Sequence, residues 1–296
     1  MDRKWTSEKG VWRTEKSRGK PSEICGRLEK RRRSSMITAV RWSQPSTTNL
    51  EHDRGVDHRG SPDGLDLEQL DDDELVRAID LAYGPAIRDG ATDSDAPPVE
   101  MSMVTSLDGS VAVAGGSRAL SSRVDLAVLL RLRHHACVTL VGAGTVRSED
   151  YAVPTDPTVR FAVVTGQGDL DWESALWRSG HATAVAPERV AIPDHVPVIR
   201  AGHNDIDITT VVQRVSERFR SGTAPIHLEG GPKLNAALHD HDLIDAINLT
   251  ISPTLVAGPS QRALDGPTER LRHFRRRHVL IAGDHLLTRW ERDRTC

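Results

Sequence analysis

The sequence predicts an α/β fold: a mostly parallel central sheet flanked by helices, with an antiparallel strand pair at its C-terminal end. Three observations predict it. From about residue 99 onward, apolar runs of strand length alternate with segments of helical period. Two of these runs, Leu140-Val141-Gly142-Ala143-Gly144-Thr145 and Leu228-Glu229-Gly230-Gly231-Pro232, break at glycines and then open a helix, as happens at the carboxyl ends of parallel strands. The last strand-like stretches, 245–256 and 278–290, are separated by a loop at 257–277 with no room for a helical crossover, so they pair antiparallel.

Taken in order, residues 1–35 carry 12 Lys+Arg against 5 Asp+Glu and show no apolar period, the composition of a disordered head. Five of the six lysines lie there, and Lys233 is the sixth. The head's balance of +7 leaves −10 for residues 36–296 of a chain whose total is −3. Two readings stand for this head: a basic arm for nucleic acid or membrane, or residues outside the native coding frame, with translation starting near Met36. Residues 36–66 form a polar linker. Residues 67–81 have acidic first turns and place Leu70, Leu75 and Ile79 on one side, a short helix, and 84–98 is a loop ending in Pro97-Pro98. The main domain spans 99–296. Its strands are expected at 99–107, 110–114, 137–142, 160–165, 182–186, 197–200, 225–229, 245–256 and 278–290. Helices are expected at 125–134, where apolar residues recur every three to four positions, at 208–220 on Val211, Val212, Val215 and Phe219, and at 232–243 with a proline at its first position.

Composition excludes several function classes. A net charge of −3 gives no global pull toward nucleic acid or anionic membrane. Cys25, Cys137 and Cys296 form no C-x-x-C, which argues against a disulfide framework or a cysteine zinc site and fits a reducing cytoplasm. No apolar run approaches the roughly 18–20 residues of a membrane span. His239-Asp240-His241 is no metal pair, because i and i+2 on a helix do not share a face. The basic stretch 270–278 sits on an acidic body and needs no nucleic-acid partner. Neither a Gly-x-Ser-x-Gly elbow nor the His-x-Glu and Pro-Cys-x-x-Cys signature of zinc deaminases is present.

The glycine turns carry the chemistry. A strand-glycine-helix junction exposes backbone N–H groups at the positive end of a helix dipole, with no Cβ in the way of a phosphate. Gly142, Gly144 and Thr145 form one such cradle, and Gly230 and Gly231 another, so a phosphate-rich cofactor is expected between neighbouring strand ends. Lys233 in the first turn of a helix opposes the dipole, and an anion at that helix start would explain it. Thr165-Gly166 closes a strand, either lining the crevice or making an ordinary turn. Glu229 either caps its helix or holds a ligand hydroxyl or amine. Asp108-Gly109 reads as a hairpin turn or as a carboxylate at the end of a buried strand.

In order along the chain, Ser106-Leu107-Asp108-Gly109, Leu130-Arg131-Leu132-Arg133, Val141-Gly142-Ala143-Gly144-Thr145-Val146-Arg147, Glu229-Gly230-Gly231-Pro232 and Leu249-Thr250-Ile251-Ser252-Pro253-Thr254-Leu255 resemble the pyrimidine reductases of riboflavin biosynthesis. That family forms the C-terminal half of the bifunctional deaminase–reductase and has a dihydrofolate reductase-like fold. The resemblance covers about residues 99–290. It implies a cytoplasmic, homodimeric, NADPH-dependent reductase of a ribosylamino-pyrimidine of the 5-amino-6-ribosylaminouracil 5′-phosphate type, with no metal. It also implies that Gly142, Gly144, Thr145, Thr165, Gly230, Gly231 and Lys233 bind cofactor and that Asp108 manages a proton at the reacting sugar carbon. Glu229 orients substrate or cofactor, and Ser102 and Ser106 face the substrate. The chain departs from related actinobacterial proteins, which usually have asparagine at Ser102 and often arginine at Gly166. The second departure leaves NADH beside NADPH. The family's arginine grip on the ribose phosphate has no match near Tyr151, and its position in the helix after Ser121-Ser122 is Leu126, with Arg123 near. Two further readings therefore stand: a dihydrofolate or pterin reductase of the same fold, and a non-catalytic nucleotide-binding protein.

Overall fold

Seven short apolar strands lie parallel and pack helices on both faces. The computed structural model describes residues 66–83, 97–149 and 151–294, which belong to one unit, Gly60–Cys296. The basic head, most of the linker and the 84–96 part of the loop expected before the domain lie outside the described residues. The strands are β1 (Val99–Thr105), β2 (Val138–Gly142), β3 (Phe161–Val164), β4 (Ala182–Ala186), β5 (Val198–Arg200), β6 (Ile226–Gly230), β7 (Ala246–Ile251), β8 (Phe274–Ala282) and β9 (His285–Arg292). They make one sheet in the order β5-β4-β3-β2-β6-β1-β7-β9-β8. The chain steps outward from β1 to β5 and then returns to place β6 between β2 and β1, a reversal of strand order that opens a crevice at the carboxyl ends.

The helices start where the sequence supplies caps. The first, α1 (Asp72–Ala82), opens with a capping box between Asp71 and Glu74, after a 3-10 turn at Leu67–Gln69. Ser122 caps α2 (Arg123–His135), and Asp207 caps α5 (Ile208–Phe219). Pro232 is the first residue of α6 (Pro232–Asp240). Between them lie α3 (Ala143–Glu149) and α4 (Ala175–Arg178).

Strand alternation sorts the core into two faces. Met101, Leu140 and Leu228 face α5 and α6, against Val211, Val215 and Leu238. On the other face, Val141, Phe161 and Val163 pack on Leu176 and Trp177 of α4, and Leu287 packs with α1 and α2. That second face also carries the buried polar residues Glu100, Thr139, His227 and Arg289.

Three expectations are corrected. Residues 110–114 form no strand. Both edges of β1 are taken by β6 and β7, so Asp108-Gly109 has no hairpin partner to lead into. The chain instead turns through Ala114 and Gly115 at positive φ, and Val111 N–H bonds to Gln261 C=O. The stretch 278–290 is not one strand: it folds at Gly283-Asp284 into the β8–β9 hairpin, and β9 supplies the antiparallel partner of β7. The strand expected at 245–256 stops at Ile251, because Ser252 and Thr254 bond back to Thr105 and Leu107 at the end of β1.

Candidate active site

The two glycine turns meet. A register shift between Leu140 and Val141 sets Val141 opposite Gly230 and brings the ends of β2 and β6 side by side. A Cβ on Gly142 would lie 3.3 Å from Gly231 N, and one on Gly231 would lie 2.7 Å from Thr145 Oγ1. Side chains are excluded here by the neighbouring turn, so two helix starts and their N–H groups open into one space. That space is a cleft of about 1200 Å³ at the carboxyl ends of the sheet. The cradle suits the diphosphate of a dinucleotide.

Of the residues expected to act, Ser102, Gly142, Gly144, Thr145, Thr165, Glu229, Gly231 and Lys233 line the cleft. Gly230, at φ +87°, stands behind Gly231, where a Cβ would lie 3.1 Å from Asn235 Nδ2. Thr165 is buried and its hydroxyl accepts from Gly168 N–H at 2.9 Å, which closes its own turn. Exposed Lys233 has no ion-pair partner among the described residues.

Ser106 and Asp108 lie outside the cleft lining. The Asp108 carboxylate accepts from Ser106 Oγ at 2.5 Å and from the amides of Val256 and Ala257 at 3.1 and 2.7 Å. Those bonds, the Ser106 hydroxyl foremost, pull its pKa down to about 2. The pair ties the end of β1 to the loop after β7.

Glu229 is committed to the protein. It takes a bidentate pair from Arg133 at 2.6 and 2.8 Å and a short hydrogen bond from Tyr151. Burial pushes its pKa up, but Arg133 outweighs burial and holds it at about 2. Burial and the Glu229 charge raise the Tyr151 hydroxyl well above its usual value, so it remains a donor. The Arg133 guanidinium lies 5.1 Å from the Tyr151 ring centre and 5.2 Å from that of Phe161. This is a rigid wall between β6, α2 and the turn after α3.

Several cleft residues carry no role in the sequence reading. Arg118 is exposed, lines the cleft and has no ion-pair partner among the described residues. Ser121 donates to Asp125 at 2.5 Å in the first turn of α2, and both line the cleft. Asn248 interrupts an apolar strand at an inward position, a signal legible in the sequence; Arg118 and Tyr151 leave no comparable signal. Arg123 turns away to Asp72 and the Glu68 and Leu70 carbonyls.

Residues 97–286 match the model of the RibD C-terminal domain. A 2,5-diamino-6-ribosylamino-4(3H)-pyrimidinone 5′-phosphate reductase of Methanothermobacter thermautotrophicus is 29% identical over 182 residues, covering 57% of this chain and 83% of that one. Among solved structures, a pyrimidine reductase-like protein of Corynebacterium diphtheriae superposes with a TM-score of 0.62 at 18% identity, covering 73% of this chain and 98% of its own. The riboflavin biosynthesis reductase of Saccharomyces cerevisiae gives 0.54 at 18% identity, covering 74% and 99%. With its fold shared by these structures and well over half of its length matched by the family model, the chain belongs to the RibD C-terminal domain family.

Proposed function

We propose that the protein is an NADPH-dependent reductase of a ribosylamino-pyrimidine 5′-phosphate. The observation that carries this reading is the contact of the two glycine turns inside one cleft, in a chain related to a reductase of that substrate class. Gly142, Gly144, Thr145, Gly230 and Gly231 hold the cofactor diphosphate, and Thr165 shapes the turn beside it. Lys233 and Arg118, both free of ion pairs among the described residues, answer the two phosphorylated ligands: Lys233 the cofactor, Arg118 the substrate 5′-phosphate. Bound NADPH supplies a hydride to the substrate. The protein holds the open-chain sugar imine with C1′ toward the cofactor side and delivers one proton to the imine nitrogen.

Asp108 is held in loop contacts, so we assign the proton to the Ser121–Asp125 pair, which lines the cleft: the Ser121 hydroxyl passes its proton to the nitrogen and takes one back from water, while Asp125 holds that hydroxyl in place. Glu229 acts as a positioning residue through Arg133 and Tyr151. Ser102 lies on the substrate side, and Ser106, bonded to Asp108 and Ser110, holds the turn after β1. A homodimer in a reducing cytoplasm completes the proposal.

Fluorescence titration with NADPH and NADH, followed by turnover of the diaminopyrimidinone and aminouracil ribosylamine 5′-phosphates, tests it. Tighter NADPH binding and turnover of either substrate are expected. Gly231→Ala should weaken NADPH binding about tenfold or more, because its Cβ meets Thr145 Oγ1. Binding of neither cofactor would refute the proposal.

A further inference from the structure

We infer that Asn248 is a substrate-recognition residue, locked as a hydrogen-bond donor, that receives an oxo group of the substrate ring. The lock is a buried charge cluster. Arg289 and Glu100 are 1% and 2% exposed. Glu100 accepts from Arg289 Nη1 at 3.0 Å and Nη2 at 2.9 Å. Arg289 Nη1 also donates to Asn248 Oδ1 at 3.0 Å. A guanidinium has donors alone, so the amide oxygen of Asn248 must face it; turning the amide over would set NH2 against NH2. The strand registers fix all three residues, with Ser102 opposite Asn248 and Asn248 opposite Arg289.

The other end of the amide is poorly used. Nδ2 reaches Ser102 Oγ at 3.5 Å, the outer limit of a hydrogen bond. Asn248 and Ser102 both line the cleft, and Asn248 is 4% exposed. A nearly desolvated NH2 with one weak acceptor is costly to keep, and a ligand oxygen removes that cost. The cleft floor on β1 and β7 therefore presents a fixed amide donor beside a hydroxyl. An exocyclic amine at this point would meet the amide hydrogens, so the site selects an oxo-bearing ring edge. The assignment rests on the proposed reductase function, whose substrate ring carries such an oxygen.

Asn248→Asp tests it. The aspartate keeps the size and the oxygen facing Arg289 but replaces the NH2 with an acceptor. The unfolding temperature should fall modestly, because a second carboxylate joins Glu100 on Arg289, and NADPH affinity should stay near wild type, while KM for the ribosylamino-pyrimidine rises roughly ten- to a hundredfold with a smaller change in kcat. Asn248→Ala, which lets water reach Arg289, is read in the same way and serves if the aspartate variant does not fold. Wild-type KM in a folded variant overturns the assignment and leaves the reductase reading intact. Equal losses of stability, NADPH binding and substrate binding also overturn it, because the residue is then purely structural. A wild-type protein that neither binds nor reduces the pyrimidine overturns the reductase reading and this assignment with it.

Discussion

Two carboxylates compete for the proton, and placement separates them. Asp125 lines the cleft with Ser121, whereas Asp108 holds the amides of Val256 and Ala257. Asp125→Asn should therefore lower kcat by about 10²- to 10⁴-fold with NADPH affinity unchanged. Asp108→Asn should loosen the loop after β7 and cost less; a larger loss in Asp108→Asn, measured in the same steady-state assay, would return the proton to Asp108. Glu229 gives a stability prediction. Removing it leaves Arg133 charged and buried, so Glu229→Ala should cost about 3–5 kcal/mol. Its folded pKa of about 2 lies below the ordinary 4.5, so its contribution is full above pH 4.5 and lost as pH falls toward 2. Urea unfolding at stepwise pH should show the wild type losing stability across that window more steeply than the variant. The sequence showed Glu229 as a lone carboxylate at a helix start. Its partners come from α2 and from beyond α3, at separations of 96 and 78 residues, and no local pattern reveals such a contact.

At the scale of elements, legibility followed local periodicity. β2, β4, β6 and the helices α2 and α5 read correctly because an apolar run or a helical stripe marks each within its own window. The failures came from tertiary context. Nothing local in 110–114 tells that both edges of the preceding strand are occupied, and the Gly283-Asp284 turn is masked by apolar residues on both sides. α1 is the opposite case: its stripe was plain, but its purpose was not. It lies before the residues matched by the family model, yet Ile79 is fully buried against α2 and the β8–β9 hairpin. Asp80 receives Arg131 at 2.8 and 2.7 Å and also meets His135 at 2.7 Å. α1 thus braces the helix that carries Asp125 and Arg133, with Ser121 just ahead of its cap. Ile79→Ala should cost about 2–5 kcal/mol in denaturant unfolding. Because the brace acts on α2, which carries Asp125, kcat should fall while NADPH affinity holds; unchanged stability would mean that α1 is not part of the folded core.

For the whole molecule, the two sheet edges differ. β5 is three residues long, whereas β8 is nine residues long and forms the other edge. Among the described residues the outer surface of the β8–β9 hairpin carries exposed apolar side chains, the kind of patch that marks an interaction site. Val279 and Ile281 of β8 point to one side with Leu286 of β9, and they are 44%, 39% and 41% exposed. This is the side on which α5 and α6 cover the parallel strands, but neither helix covers the hairpin. Arginines 275–277 on the same strand disfavour open-ended edge pairing. A closed contact between two copies satisfies both facts: it covers the apolar side and leaves the charged stretch in water. Analytical ultracentrifugation at micromolar concentration should therefore show a dimer. Ile281→Glu should convert it to a folded monomer, because the contact would then bury an unpaired carboxylate. A monomeric wild type would refute the dimer, and a dimer unaffected by Ile281→Glu would move the interface away from this hairpin.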